Sequence, residues 1–217
     1  MSNHLPSGSL GEAAVLVDYD NVMTYRERTL LDLSENLHFL IPPLSALVGT
    51  VLGPSSLNMR FYGGWLTSRS RPSRRAQWLF SQLPFFRGRI DGMLVRPTLA
   101  YSLACRPNDY LVGTLRSREN GSYIQKMVDT LLCMDTWFFS VSCALPTFLV
   151  SDDDDFVPAL LAPYSINQSV RLYCVRKRLD GVGLNDPILR SAGVHLLSLP
   201  GGTTCPSTTS QDTGVTV

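Results

Sequence analysis

The chain has 217 residues, the size of one large domain, and its 44% hydrophobic against 17% charged residues supply a sizeable core. A net charge of +1 gives no global field to draw it onto nucleic acid. Five cysteines without a Cys-x-x-Cys pair, beside only three histidines, exclude a zinc finger and argue against a disulfide scaffold, so reduced thiols in the cytoplasm are expected.

Residues 1–12 are small and polar, lack the apolar segment of a secretory signal and are expected to be flexible. Ala13 to Val17 is an apolar run ending in Asp18 and reads as a strand buried on both faces. Residues 29–51 carry helical spacing, which Pro42-Pro43 is expected to interrupt. The charge-free run from Asn36 to Met59 holds these prolines with Gly49 and Gly53, and is a buried helix with a loop behind it rather than a membrane span. Asn58–Tyr62 is a second strand closed by Gly63-Gly64, and Ser73–Leu83 a helix with Trp78 and Leu79 inward.

Arg89–Val95 reads as a third strand ended by Pro97, and residues 98–120, without a clean period, as a long loop or insertion. Ser122–Phe139 is expected to be helical with Ser122 as its cap. Thr147–Val150 is a further buried strand, followed by Ser151, four Asp and a helix to about Pro163. Val170–Val175 and Val194–Leu199 are the last strands, and residues 201–217, rich in Gly, Ser and Thr, read as a disordered tail. Strands alternating with helices over residues 13–200 predict one α/β domain around a mainly parallel sheet.

Charge is unevenly spread. Of 19 basic residues 17 are Arg, and eleven of these lie between Arg60 and Arg118 with only two acids, a local charge of +9. Arg forks grip phosphate bidentately. In open parallel sheets ligands sit beyond the carboxyl ends of the strands. Two strands end there in acid: the first in Asp18, Asp20 and Asn21, the fourth in Asp152 to Asp155. Capping a helix would need one Asp. So many carboxylates at one edge repel unless a cation neutralises them, and an all-oxygen set suits Mg²⁺ or Mn²⁺. The helix carrying Lys126, Asp129 and Asp135 is a third contributor; Asp135 lies about 120° from Asp129 around it and, amid apolar neighbours, needs a partner such as Lys126 or an Arg.

These residues resemble the NYN domains, a branch of the PIN-like (5′ nuclease-like) enzymes. The likeness runs over residues 13–199 and rests on Val17-Asp18-Tyr19-Asp20-Asn21, on Lys126-Met127-Val128-Asp129 with the later Asp135, and on Ser151-Asp152-Asp153-Asp154-Asp155-Phe156. Asp152, Met127 and Asp154 stand where the family has Gly, Gly and Ser. The resemblance implies a three-layer PIN-like sandwich with helices on both faces of the sheet, and a metal-dependent endoribonuclease in which Asp18, Asp129, Asp153 and Asp155 hold one or two Mg²⁺ or Mn²⁺ ions. It implies that Asn21 orients Asp18 or meets the scissile phosphate, and that Lys126 offsets acid or binds phosphate. Pairing with a second copy or a protein partner is compatible with it.

Arg69, Arg71, Arg74 and Arg75 follow the second strand, and Arg116 and Arg118 precede the Asp129 helix; together they suit the phosphates of RNA, with Trp65 as a stacking surface for a base and Trp78, Phe85 and Phe86 as core. Two other readings fit part of the pattern. A phosphatase of the haloacid dehalogenase type would use Asp18 as nucleophile and Asp20 as acid/base. A binding module would keep the scaffold and its acids without turnover.

Overall fold

The computed structural model describes residues 11–22, 30–69, 71–100, 115–125, 128–177 and 185–199. Seven strands form one sheet: β1 (Glu12–Asp18), β2 (Ser56–Tyr62), β3 (Gly88–Ile90), β4 (Met93–Leu99), β7 (Thr147–Val150), β8 (Leu172–Arg176) and β9 (His195–Ser198). Their order is β3-β4-β2-β1-β7-β8-β9, and every pairing is parallel except β3 with β4. A separate antiparallel pair, β5 (Leu115–Ser117) and β6 (Tyr123–Gln125), stands apart from it.

The unbroken apolar run of β1 has the cause its sequence suggested. Ala13, Val15 and Val17 enter one core with helices α2 (Leu30–Leu52) and α3 (Arg74–Gln82). Ala14 and Leu16 enter a second core on the opposite face, with α4 (Val128–Trp137), α5 (Val157–Ile166) and α6 (Asp186–Ser191). A strand with covered faces on both sides has no place for a polar residue until its end. The architecture is therefore three-layer α/β, and a one-turn helix α1 (Tyr19–Val22) leaves β1 directly.

Helix α2 runs through Pro42 and Pro43 instead of stopping there. Each proline costs a helix about 3 kcal/mol or more. Leu37, Leu40, Ile41, Leu44 and Val48 are fully buried, and at about 1.5–3 kcal/mol apiece their burial outweighs that cost. The carbonyls deprived of a donor belong to His38 and Phe39, both exposed to water. No helix among the described residues is long and apolar enough to cross a membrane.

Other expectations need correction. Residues 89–95 are not one strand: Asp91 (φ 48°) and Gly92 (φ 84°) make a two-residue turn between β3 and β4, and an Asp-Gly pair suits such a left-handed turn. Pro97 does not end β4. Leu94 sends its N–H to Ser55, just before β2, and Ala100 sends its N–H to Phe61 of β2, so the odd-numbered Pro97 faces the other way, past the last residue paired with β3, where no donor is required. The helix expected over 122–139 begins only at Val128, because Tyr123–Gln125 pairs with Leu115–Ser117; Ser122 sits in the hairpin turn, its N–H on Asn120 Oδ1. Of the expected loop 98–120, Thr98 and Leu99 belong to β4, Leu115–Ser117 to β5, and residues 101–114 lie outside the described residues. So do 1–10 and the tail 201–217. Cys133, Cys143 and Cys174 are free thiols.

Candidate active site

The chain leaves β1 toward β2 and β4 on one side, and fills the other side with β7, β8 and β9. The switch point of this doubly wound sheet is thus the crevice beyond the carboxyl ends of β1 and β7, where such sheets bind ligands. Asp18 ends β1 there, and Ser151 follows β7. Their side chains meet across the crevice: Ser151 Oγ donates to Asp18 Oδ2 at 2.8 Å. The backbone N–H of Asn21 approaches Asp18 Oδ1 at 3.4 Å.

Asp18 is buried, at 8% exposure. Burial drives its pKa up to about 6, against the hydrogen bonds from Ser151 and Asn21, and the negative charges of Asp129 and Asp20 push the same way. Asp129 lies in the first turn of α4, exposed, and reaches Asp18 through its charge. The two strand-end and helix-start acids of the sequence thus form an electrostatically coupled pair.

The acids after β7 are placed differently. Asp153 donates its N–H to Ser151 Oγ at 3.1 Å and accepts from the N–H of Asp155 at 2.9 Å, capping the short 3-10 turn Asp154–Phe156. Asp155 is exposed. Asp152 and Asp154, which had no assigned role, turn away toward β8: Asp152 Oδ1 accepts from the Lys177 N–H at 2.7 Å, and Asp154 accepts from Arg176 at 2.7 Å and Asn185 at 3.0 Å. Arg176 is buried and also faces Asp186 at 3.5 Å and the carbonyl of Ser151 at 3.3 Å. Asn21 spends its side-chain oxygen on the N–H of Asp152 at 3.0 Å, so it braces the acidic turn as well as Asp18.

Of the predicted phosphate ligands, Arg69, Arg71 and Arg74 are exposed at the same sheet edge and make no ion pair among the described residues. Arg75 is committed elsewhere: it pairs with Asp20 and its guanidinium lies 5.0 Å from the centre of the Trp65 ring. Arg116 and Arg118 are exposed on the β5–β6 hairpin. Lys126 lies outside the described residues.

Trp65 cannot serve as a stacking surface. It is 1% exposed, packed with Tyr19 at 5.7 Å between ring centres. Gly63 makes this possible, since a Cβ there would stand 2.9 Å from the indole. Phe85, expected in the core, is 78% exposed, while Trp78 and Phe86 do pack against it. Asp20, the acid/base of the phosphatase reading, accepts from the Gly64 N–H at 2.6 Å on one oxygen and from Arg75 on the other.

Sequence reasoning gave Ser151 no role beyond its place in a motif, and did not single out Arg60, Tyr62 or Arg176. Asp135 does have the Arg partner expected of it: Arg60, at 3.0 Å.

The group the resemblance implies is Mg²⁺ or Mn²⁺. Among the described residues no three His, Cys, Asp or Glu side chains gather closely enough to hold one ion, so the expected four-carboxylate set is not assembled. Asp18 and Asp129 are near enough for the charge of one to act on the other. Mg²⁺ keeps several waters and is commonly bound by one or two carboxylates plus substrate phosphates. A carboxylate burdened by burial and by a second carboxylate fits such an ion. No family model, no curated protein and no solved structure matches the chain.

Proposed function

We propose that the chain is a metal-dependent endoribonuclease of PIN-like architecture, hydrolysing phosphodiester bonds of RNA at the β1–β7 switch point. The observation that carries this reading is Asp18: a buried carboxylate at the carboxyl end of the central strand, its charge opposed by burial, Asp129 and Asp20. Exposed Arg69, Arg71 and Arg74 at that same edge suit a polyanion better than a small phosphate ester. Asp20, tied to Gly64 and Arg75, is poorly placed to be a phosphatase's acid/base.

Asp18 and Asp129 would hold Mg²⁺ or Mn²⁺, which supplies Lewis acidity and a bound water acidic enough to attack phosphorus. The protein's own part is positioning. Ser151 and the Asn21 N–H each occupy one lone pair of Asp18, one per oxygen, and leave the others to face the ligand. Asp153 fixes the Ser151 hydroxyl through its N–H, and Asn21 holds the turn that carries Asp153. The Arg side chains take backbone phosphates without reading sequence.

The test is cleavage of end-labelled single-stranded RNA and DNA with Mg²⁺, Mn²⁺ or EDTA, by wild type and Asp18→Asn. The reading expects RNA to be cut only with metal and the variant to be inactive. Cutting in EDTA, or full activity of Asp18→Asn, overturns it.

A further inference from the structure

Asp135 is the most deeply buried charge-bearing side chain in the described residues, and the catalytic reading leaves it unused. Its side chain is only 1% exposed. Its Oδ2 accepts from Arg60 at 3.0 Å and from the Tyr62 hydroxyl. Its Oδ1 has no hydrogen-bond partner among the described residues. Arg60 is in turn covered by Phe139, whose ring centre is 4.7 Å from the guanidinium carbon. A carboxylate sealed in the core with one oxygen unbonded is an expensive way to hold a helix, and apolar residues of the same volume commonly stabilise such sites as well or better.

What apolar residues could not do here is set the rotation of α4. Val128, Leu131, Leu132, Cys133 and Met134 are spread nearly all the way round the helix. Of these five only Leu132 is fully buried, and Met134 is 54% exposed. Turning α4 about its axis would exchange one apolar side chain for another at little cost in buried area, so the hydrophobic pattern does not define its setting. A single buried polar contact does, which is the best-attested use of such groups.

The contact is also made at an informative place. Tyr62 is the residue paired with Asp18 across the β1–β2 ladder, and Arg60 is paired with Leu16. Asp135 therefore grips the rung of the sheet that carries Asp18. Six residues earlier, about 9 Å along the same helix, stands Asp129, whose charge acts on Asp18.

We infer that Asp135, with Arg60 and Tyr62, is a positioning device that fixes the rotation and height of α4 so that Asp129 faces Asp18. The catalytic consequence rests on the nuclease reading above; the structural one does not.

Two variants test it: Asp135→Asn, and the double variant Arg60→Met with Asp135→Leu, which replaces the pair by apolar side chains. Folding is followed by circular dichroism and thermal melting. Two readouts then report position. One is kcat and KM for RNA cleavage. The other, independent of activity, is the alkylation rate of the half-buried Cys133 on α4, resolved by mass spectrometry. The double variant is expected to fold with its melting temperature kept or raised, to lose about tenfold or more in kcat with KM little changed, and to alter Cys133 labelling severalfold, since small misplacements of reacting groups have costs of that order. Asp135→Asn, which keeps size and hydrogen-bonding capacity, is expected to fall between it and wild type. A folded variant with unchanged kcat and unchanged Cys133 labelling overturns the inference. If wild type cuts no RNA while Cys133 labelling still shifts, the nuclease reading falls and the positioning role of Asp135 stands.

Discussion

Replacing Asp18 by Asn should make the protein more stable while abolishing its chemistry, and the stability gain should depend on pH. Holding this carboxyl at about 6 instead of its ordinary 3.8 costs the folded state about 3 kcal/mol once the group is fully ionised. The folded protein binds this proton more tightly than the unfolded chain does. Its contribution therefore worsens as pH rises from about 4 to about 6, is fully felt above, and is absent below 3.8. Asn carries no charge at any of these values. The Ser151 hydroxyl can rotate to accept from the new amide, so the hydrogen-bond loss is about 1 kcal/mol or less. At pH 7.5, without divalent metal, the variant should be about 2 kcal/mol more stable, or about 4–8 °C in melting temperature for a chain of this size. Urea or thermal unfolding of both proteins at pH 7.5 and pH 4 reads the difference directly, because all other titrating groups are common to the pair. A variant that is less stable at pH 7.5, or whose advantage is as large at pH 4, would refute the assignment of burial and like charge as the cause. Added Mg²⁺ should raise the stability of wild type and not of the variant.

Asp20→Asn should lose about 1 kcal/mol, the worth of a half-exposed ion pair with Arg75, and still cut RNA; loss of all hydrolysis at full stability would instead favour the phosphatase reading. Arg176→Met should cost about 3–5 kcal/mol in urea unfolding, since it removes the cation facing the buried Asp186 and releases Asp154. Replacing Arg69, Arg71 and Arg74 together by Ala should weaken RNA binding for every sequence alike and lower the slope of log affinity against log salt by about 2 for single strands. An unchanged slope would place the RNA elsewhere.

β1, β7 and β8 were legible because being covered on both faces forces nearly continuous apolar runs, whereas β2 showed itself by alternating buried Leu57, Met59 and Phe61 with half-buried Asn58 and Arg60. What escaped depended on distant partners or on very short elements. β5 and β6 have three residues each, too few to show a period, and each exists only through the other. The Asp91-Gly92 turn was visible in principle as a hairpin signal and was absorbed into a neighbouring apolar run. In the site, Asp18 was readable from its place at a strand end. The burial of Trp65 was not, because it requires Gly63 to be empty of a side chain and Tyr19 to come from another element. Nor was the fate of Arg75, drawn out of the Arg cluster by Asp20, 55 residues earlier.

The four consecutive Asp after β7 show how much of a charged motif can be architecture. Read as a string, Asp152 to Asp155 is a single block of negative charge. In the fold it divides, because the chain is extended at Asp153 and winds into a short 3-10 turn from Asp154 to Phe156. Asp152 and Asp154 point to the end of β8 and are neutralised there by a backbone N–H, a buried Arg and an Asn. That anchoring holds the turn against the sheet. Asp153 turns its carboxylate to the N–H of Asp155 and its own N–H to Ser151, so it acts on Asp18 through one hydroxyl, while Asp155 stays exposed. The carboxylates of Asp152 and Asp154 are thus directed to the end of β8. Asp154 is paired by Arg176 at the end of β8 and Asp152 is held by the backbone N–H of Lys177 just after it, residues that a sequence motif confined to one segment cannot include.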